Sequence, residues 1–348
     1  MPFRRTLLSA AGVLVCAAAW SQPLNPVLFL PIAASVVRVE AERAQGGLSV
    51  GSGVTVAPGV VATNCHVLRE ASSVRVAGAG TTLAADAERG DVRRDVCFLR
   101  VPDWRGRPVN LADADAQVGA SVVALGYTGG AAISPRLGSV RALHAYDGAH
   151  VIESDAPFNG GSSGGGLFAH DGTLVGLLTF RLRNSETSYF ALPVEWVRAG
   201  LPREGDWQDI RPLAARPPFW QGEGEALPFF MRAAAYQNEG AWPQLLELTV
   251  AWLAAAPHDA EPLRARALAL RELHRPRAAA EAFRAALRIE PHDAVALYGL
   301  ALAYDETGNS EALRETQARL DALDDDVSRD LVHRLASRGG TGGAPVGN

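Results

Sequence analysis

The chain has 348 residues and a formal net charge of −5. That length allows two domains with sizeable cores, and the mildly acidic balance gives no reason to expect a nucleic acid or an anionic membrane surface as partner. All 33 basic residues are arginine, which excludes Ser–Lys dyads, Schiff-base lysines and the P-loop lysine as sources of chemistry.

Residues 1–21 read as a secretory signal. Arg4 and Arg5 precede an uncharged apolar run from Leu7 to Ala19, and small residues suit cleavage after Ala19 or Ser21. An uncleaved anchor is the alternative, although the run is short for a membrane span. No later segment is apolar enough to cross a bilayer, so no stable span is expected after signal removal. Cys16 lies inside the run, and Leu14-Val15 before it suit a lipoprotein site poorly. The expected location is periplasmic or secreted, with Cys65 and Cys97 in an oxidising compartment.

Residues 30–201 form the first expected domain, and it looks all-β. Val37, Val39 and Ala41 alternate with Arg38, Glu40 and Glu42. Further strand-like runs are 48–56, 60–63, 73–76, 96–101, 121–125, 138–142, 150–154, 166–168, 174–180 and 189–192. Asp171-Gly172 between two apolar runs predicts a hairpin. Many short strands at this spacing suggest barrels or sandwiches, and a short helix is expected over 193–199.

Residues 202–225, rich in Pro, Gly and Trp, read as a linker packed through Trp207 and Trp220. From residue 226 the pattern turns helical and repeats. Pro257-His258-Asp259-Ala260 recurs 34 residues later as Pro291-His292-Asp293-Ala294, the period of tetratricopeptide repeats. Three repeats are expected, at 226–259, 260–293 and 294–327, within a region ending at 330. Small residues such as Ala267, Ala279 and Ala286 let paired helices approach, and Pro291 ends the second helix. An ordinary helical bundle is the alternative. Residues 331–348 read as a Gly-rich flexible tail.

Three segments of the β region carry chemistry. Thr63-Asn64-Cys65-His66-Val67 follows an apolar strand, Asp95-Val96-Cys97-Phe98-Leu99 opens another, and Gly161-Ser162-Ser163-Gly164-Gly165-Gly166 is a glycine-dense turn. Acyl transfer needs a nucleophilic hydroxyl, an imidazole to take its proton, a buried carboxylate to hold that imidazole, and N–H groups aimed at the oxyanion. Ser163, His66 and Asp95 are assigned the first three roles, and the N–H groups of Gly161 and Ser163 the fourth. A plain Gly/Ser linker is the bland reading of the turn. Asp91 competes with Asp95 but reads as a turn residue after Gly90. His144, His150, His170, His258 and His292 lack the context of His66 and read as structural or solvated. If His66 and Asp95 meet, Cys65 and Cys97 are neighbours, and a disulfide between them is expected, with two buried free thiols as the alternative. This cluster offers too few ligands for a metal; neither metal nor cofactor is expected.

These motifs, with Gly51-Ser52-Gly53 before the His strand and Phe190-Ala191-Leu192-Pro193-Val194 after the Ser turn, resemble chymotrypsin-like serine peptidases, especially the bacterial HtrA/DegP-like branch. The resemblance covers roughly residues 35–200. It implies an all-β chymotrypsin-like double β-barrel, two six-stranded barrels with the site at their junction, here followed by an all-α helical-repeat domain. It also implies a polypeptide substrate pairing as a strand near Leu177, Leu178 and Thr179. Gly166 stands where the family usually has Pro, so a looser turn is expected. Ser162 precedes the nucleophile, which argues against activation by a new N-terminus. The expected activity is a serine endopeptidase whose repeats recruit a protein partner or substrate segment in their groove. A catalytically idle protease-fold adaptor is the alternative. A Gly-x-Ser-x-Gly esterase elbow belongs to α/β chains, which the all-β pattern disfavours.

Overall fold

The structure is a computed structural model that describes residues 26–129, 132–183, 187–213 and 216–339. The expected signal segment 1–21 and the end of the expected tail, 340–348, lie outside the described residues.

A helix α1 (Pro26–Ser35) leads into a seven-stranded antiparallel sheet. Its strands are β1 (Val36–Arg43), β2 (Leu48–Ala57), β3 (Val60–Thr63), β4 (Ala71–Gly78), β5 (Thr81–Ala84), β6 (Ala87–Asp91) and β7 (Val96–Arg100), in the order β5-β4-β1-β2-β3-β7-β6. A single helical turn, α2 (Cys65–Leu68), sits between β3 and β4. Apolar residues alternate inward and build a core of Val37, Val39, Val61, Leu68, Val74, Val76, Leu99 and Trp104.

The second half is a closed six-stranded barrel. It comprises β8 (Ser121–Thr128), β9 (Ala132–Tyr146), β10 (Ala149–Ser154), β11 (Gly166–Ala169), β12 (Leu174–Arg183) and β13 (Thr187–Pro193), in the order β10-β13-β12-β11-β8-β9. The hairpin at Asp171-Gly172 is present. Gly172 adopts φ +88° and the Asp171 carboxylate accepts from the Thr173 N–H at 2.9 Å. The helix expected at 193–199 is α3 (Val194–Gly200).

The double-barrel expectation holds with one correction. Only the second sheet closes on six strands; the first has seven. Short, polar β5 and β6, which carry too little apolar alternation to stand out in the sequence, form its two edges. Edge β6 is covered in turn, where Glu88 and Gln208 exchange backbone hydrogen bonds at 2.8 and 2.9 Å.

Seven helices follow: α4 (Phe229–Glu239), α5 (Trp242–Ala255), α6 (Glu261–Glu272), α7 (Pro276–Ile289), α8 (Ala294–Thr307), α9 (Ser310–Asp321) and α10 (Asp325–Gly339). Successive helices pack on one another, with Ala267, Ala279, Ala286 and Ala301 fully buried around Phe283. The helix α10 corrects the expected tail, since residues 331–339 continue it, and Leu331 is buried in the repeat core.

Candidate active site

The strand register brings the first two site residues together. Strand β3 pairs antiparallel with β7, so Thr63 lies opposite Cys97. The turn that follows β3 therefore sits beside the turn that precedes β7. Asn64 Nδ2 and the Cys65 N–H both donate to the Asp95 carbonyl, at 3.1 and 3.3 Å. Asp95 adopts φ +62°, rare for a non-glycine residue and a form of strain found at functional sites.

The Asp95 side chain is fully buried, which is costly for a carboxylate unless donors surround it. Oδ1 accepts from the His66 backbone N–H at 2.8 Å. Oδ2 accepts from His66 Nδ1 at 2.7 Å, Thr179 Oγ1 at 3.0 Å and Trp220 Nε1 at 3.1 Å. An ionised carboxylate only accepts, so Nδ1 carries the proton and Nε2 keeps its lone pair for a substrate-side proton. Cys65 and Cys97 are disulfide-bonded, with Cα atoms 4.9 Å apart, and lock the two turns together. Asp91 closes the preceding turn instead, accepting from the Arg94 N–H at 3.1 Å.

The glycine-dense turn runs between β10 and β11, where the two barrels meet. Ser52 of β2 pins it at two points and is itself held by β8. Its N–H donates to Ser163 O at 2.7 Å, its hydroxyl donates to Gly161 O at 2.7 Å, and that hydroxyl accepts from the Tyr127 N–H at 2.8 Å. Gly164 adopts φ +83°, and a Cβ there would lie 2.2 Å from Ser52 O and 2.4 Å from Thr63 Oγ1. Only glycine lets the turn enter the junction. The N–H groups of Ser162, Gly164 and Gly165 are tied to Asn159, Leu178 and Ser162 carbonyls at 3.1, 2.8 and 2.9 Å. Those of Gly161 and Ser163 have no backbone acceptor among the described residues, as oxyanion donors require.

Gly166, where the family pattern has Pro, begins β11 in close quarters. A Cβ there would meet the Phe168 ring at 2.3 Å and Leu174 Cδ1 at 2.9 Å, so the proline of the family pattern has no room beside this chain's Phe168.

Thr179 links the two halves of the site. Its carbonyl accepts from Ser163 Oγ at 3.2 Å while its hydroxyl donates to Asp95. The Ser163 hydroxyl thus rests on Thr179 O and must turn toward His66 to give up its proton.

The expected substrate edge needs correcting at two of three positions. The side chains of Leu177 and Leu178 are core. Leu178 also spends its backbone inside the barrel, accepting from the Gly164 N–H and donating to Gly165 O, both at 2.8 Å. Beyond Leu178, β12 departs from β11, and the edge starts at Thr179. Ala156 and Phe158, just ahead of the serine turn, are buried and uncharged. A cleft of about 170 Å³ lined by His66 opens between Arg43, Ser49, Arg69 and Glu70.

Two contributors to the site carry weak sequence signals. Ser52 lies inside Gly51-Ser52-Gly53, and a small hydroxyl in a buried strand is its signal. Trp220 reads from sequence only as a packing aromatic of the linker, and nothing in its local sequence points to Asp95.

Residues 51–177 match the trypsin-like peptidase domain family. The chain is 36% identical over 154 residues to Protease Do-like 1, chloroplastic, of Arabidopsis thaliana, covering 40% of this chain and 35% of that protein. It is 33% identical over 142 residues to the periplasmic serine endoprotease DegP of Salmonella typhimurium, covering 38% of this chain and 30% of that one. The chain thus spans about a third of the length of these relatives. The active form of the Rv3671c protease from M. tuberculosis superposes with a TM-score of 0.50 at 25% identity, covering 62% of this chain and 97% of that chain. Residues 51–177 are therefore similar to a trypsin-like peptidase domain, and part of the chain is similar to Protease Do-like 1, to DegP and to the Rv3671c protease.

Proposed function

We propose that the protein is a serine endopeptidase that cleaves polypeptides through an acyl-enzyme. Ser163 attacks the scissile carbonyl, His66 Nε2 accepts its proton and returns it to the leaving amine, and Asp95 orients His66 and stabilises the imidazolium. The N–H groups of Gly161 and Ser163 hold the oxyanion. The observation that carries this reading is Thr179, which touches both Ser163 Oγ and the carboxylate bound to His66. The substrate adds as a strand to the β12 edge from Thr179 onward. The uncharged surroundings of Ala156 and Phe158 favour an apolar residue at the cleaved position; specific cleavage after Arg would refute that preference.

The helices α4–α9 act as three tetratricopeptide-type hairpins whose groove recruits a protein partner or a substrate segment, and the protein works in the periplasm or outside the cell. The 34-residue recurrence, the disulfide and the expected signal support this.

The test is fluorophosphonate labelling of the mature protein beside Ser163→Ala, with the modified peptide located by mass spectrometry. Labelling confined to Ser163 supports the endopeptidase. The resting hydroxyl on Thr179 O favours one competing reading, an idle scaffold used for binding. Absence of labelling in folded wild-type protein would select it.

A further inference from the structure

We propose that Trp220, contributed by the segment after the β region, is a positioning residue of the active site. It holds the Asp95 carboxylate, and through it the His66 ring, in the orientation that proton transfer needs. This rests on the endopeptidase reading of Ser163, His66 and Asp95.

Three contacts converge on the indole. Its Nε1 donates to Asp95 Oδ2 at 3.1 Å, across 125 residues of sequence. Its ring meets His66 edge-to-face, with centroids 5.4 Å apart and planes at 85°. Its other neighbour is Phe180, stacked at 5.2 Å and 14°, which is itself stacked on Phe190 of β13 at 4.5 Å and 7°. The indole therefore lies between the imidazole and the wall of the second barrel.

The flanking residues fix it there. The Phe219 N–H donates to Arg93 O at 2.9 Å, and the Phe219 ring, 4% exposed, packs on Tyr146 at 4.8 Å and Trp196 at 5.8 Å. On the other side Arg69 Nη2 donates to Gln221 Oε1 at 2.8 Å. Anchored at both neighbours, Trp220 loses little further freedom in making its bond to Asp95.

The chemistry has one direction. An indole N–H only donates, so this bond favours the ionised carboxylate, the form that holds His66 Nδ1–H. The edge contact on the imidazole opposes rotation of the ring out of the Asp95 bond. A tryptophan that merely covered apolar surface would do neither. Its loss would lower stability and leave turnover intact.

The test uses the full mature chain with two replacements. Trp220→Phe removes the N–H and keeps an aromatic ring. Trp220→benzothienylalanine replaces the N–H by sulfur at nearly constant shape, and covers the case in which Trp220→Phe does not fold. Turnover of a small peptide ester is measured with each. The downfield Nδ1–H proton resonance of His66 is followed by NMR with the same replacements in the Ser163→Ala background. The expected result is kcat lower by about 10- to 150-fold with KM within about twofold, as loss of one hydrogen bond to a charged group predicts. The His66 resonance should shift or broaden through exchange. Unchanged kcat, an unmoved resonance, or a rise in kcat from removal of an obstruction would each overturn the proposal. Wild-type protein that neither labels nor turns over would sink the endopeptidase reading alone, because the resonance reports on Trp220 without catalysis.

Discussion

Asp95 concentrates the unusual features of the site in one residue. It has a left-handed backbone, no exposed surface and four donors on its carboxylate. Donors in that number make the ionised form tolerable in the interior. Asp95→Asn would place an amide beside His66 Nδ1 and favour the wrong tautomer. We expect kcat to fall by about 10⁴-fold, with KM little changed, in steady-state ester hydrolysis. A charge buried without such donors behaves differently. Glu88 of β6 is fully buried, and burial, only partly offset by Arg211, raises its pKa to about 7. The unfolded carboxyl ionises near its ordinary 4.5, so folding pays an increasing penalty as pH rises from there to about 7. Glu88→Gln should therefore stabilise the protein at pH 8, by on the order of 2 kcal/mol, and do little at pH 4, as urea melts would show.

Among the elements, the pairing of β3 with β7 does most for the site, because it places Cys65 against Cys97 and His66 against Asp95. The disulfide spans 32 residues, and closing a loop of that size stabilises a fold by about 3–4 kcal/mol. Cys97→Ser should lose about that much in denaturant unfolding, and its labelling rate should fall as the His66 turn loosens. In the helical region Gly240 ends α4 and Gly308 ends α8, both left-handed, at φ +67° and +71°. Midway between them, 34 residues from each, His274 follows α6 with φ +56°. The same turn is thus built three times, once with a side chain that resists it. His274→Gly should raise stability by about 0.5–1 kcal/mol, measurable as a higher melting temperature with unchanged activity.

The two regions of the molecule share one core. Val151, Phe190 and Trp196 of the barrel side join Phe219 of the connecting segment and Phe230, Met231, Leu245 and Trp252 of the first helices. Of residues 202–225, expected as a linker, the described ones, 202–213 and 216–225, form a strap laid on the β region. They bond to β6 at Gln208, to Arg69 through Leu213, and to Arg93 through Phe219. A chain cut after residue 225 would expose the apolar surface around Phe190 and Phe230's site. We expect it to unfold at lower denaturant concentration than the full chain, which would also reduce labelling of Ser163. His144 clasps the same interface. It bonds Glu153 at 2.9 Å and Glu261 at 2.7 Å, and stacks on Phe230 at 4.3 Å. Burial opposes its charge, yet Glu261 and Glu153 raise its pKa to about 9. Unfolded histidine titrates near 6.5, so the clasp contributes fully below that pH and is lost as pH rises through about 9. On the acid side, burial raises the Glu153 carboxyl, but its bonds to His144 outweigh that and lower it overall. Its contribution is present above the ordinary 4.5 and fades as pH falls below that. The melting temperature should decline between pH 6.5 and 9, and His144→Gln should flatten that decline.

Local chemistry wrote much of this protein into its sequence. Short apolar or alternating runs between turn residues marked eleven of the strands, Asp171-Gly172 marked a hairpin, and the 34-residue recurrence marked the helical units, because each of these signals is local in the chain. The candidate triad was legible for a related reason: a His, an Asp and a Ser each sat in a distinctive short context. Short polar β5 and β6 had no such signal. Nor could sequence show that Leu177 and Leu178 are spent inside the barrel, since both faces of β12 are apolar there and only pairing partners tell an edge from a centre. Trp220 is the extreme case. Its bond to Asp95 crosses 125 residues, and a contact that distant depends on how the strap docks, which tertiary packing decides and no local pattern encodes.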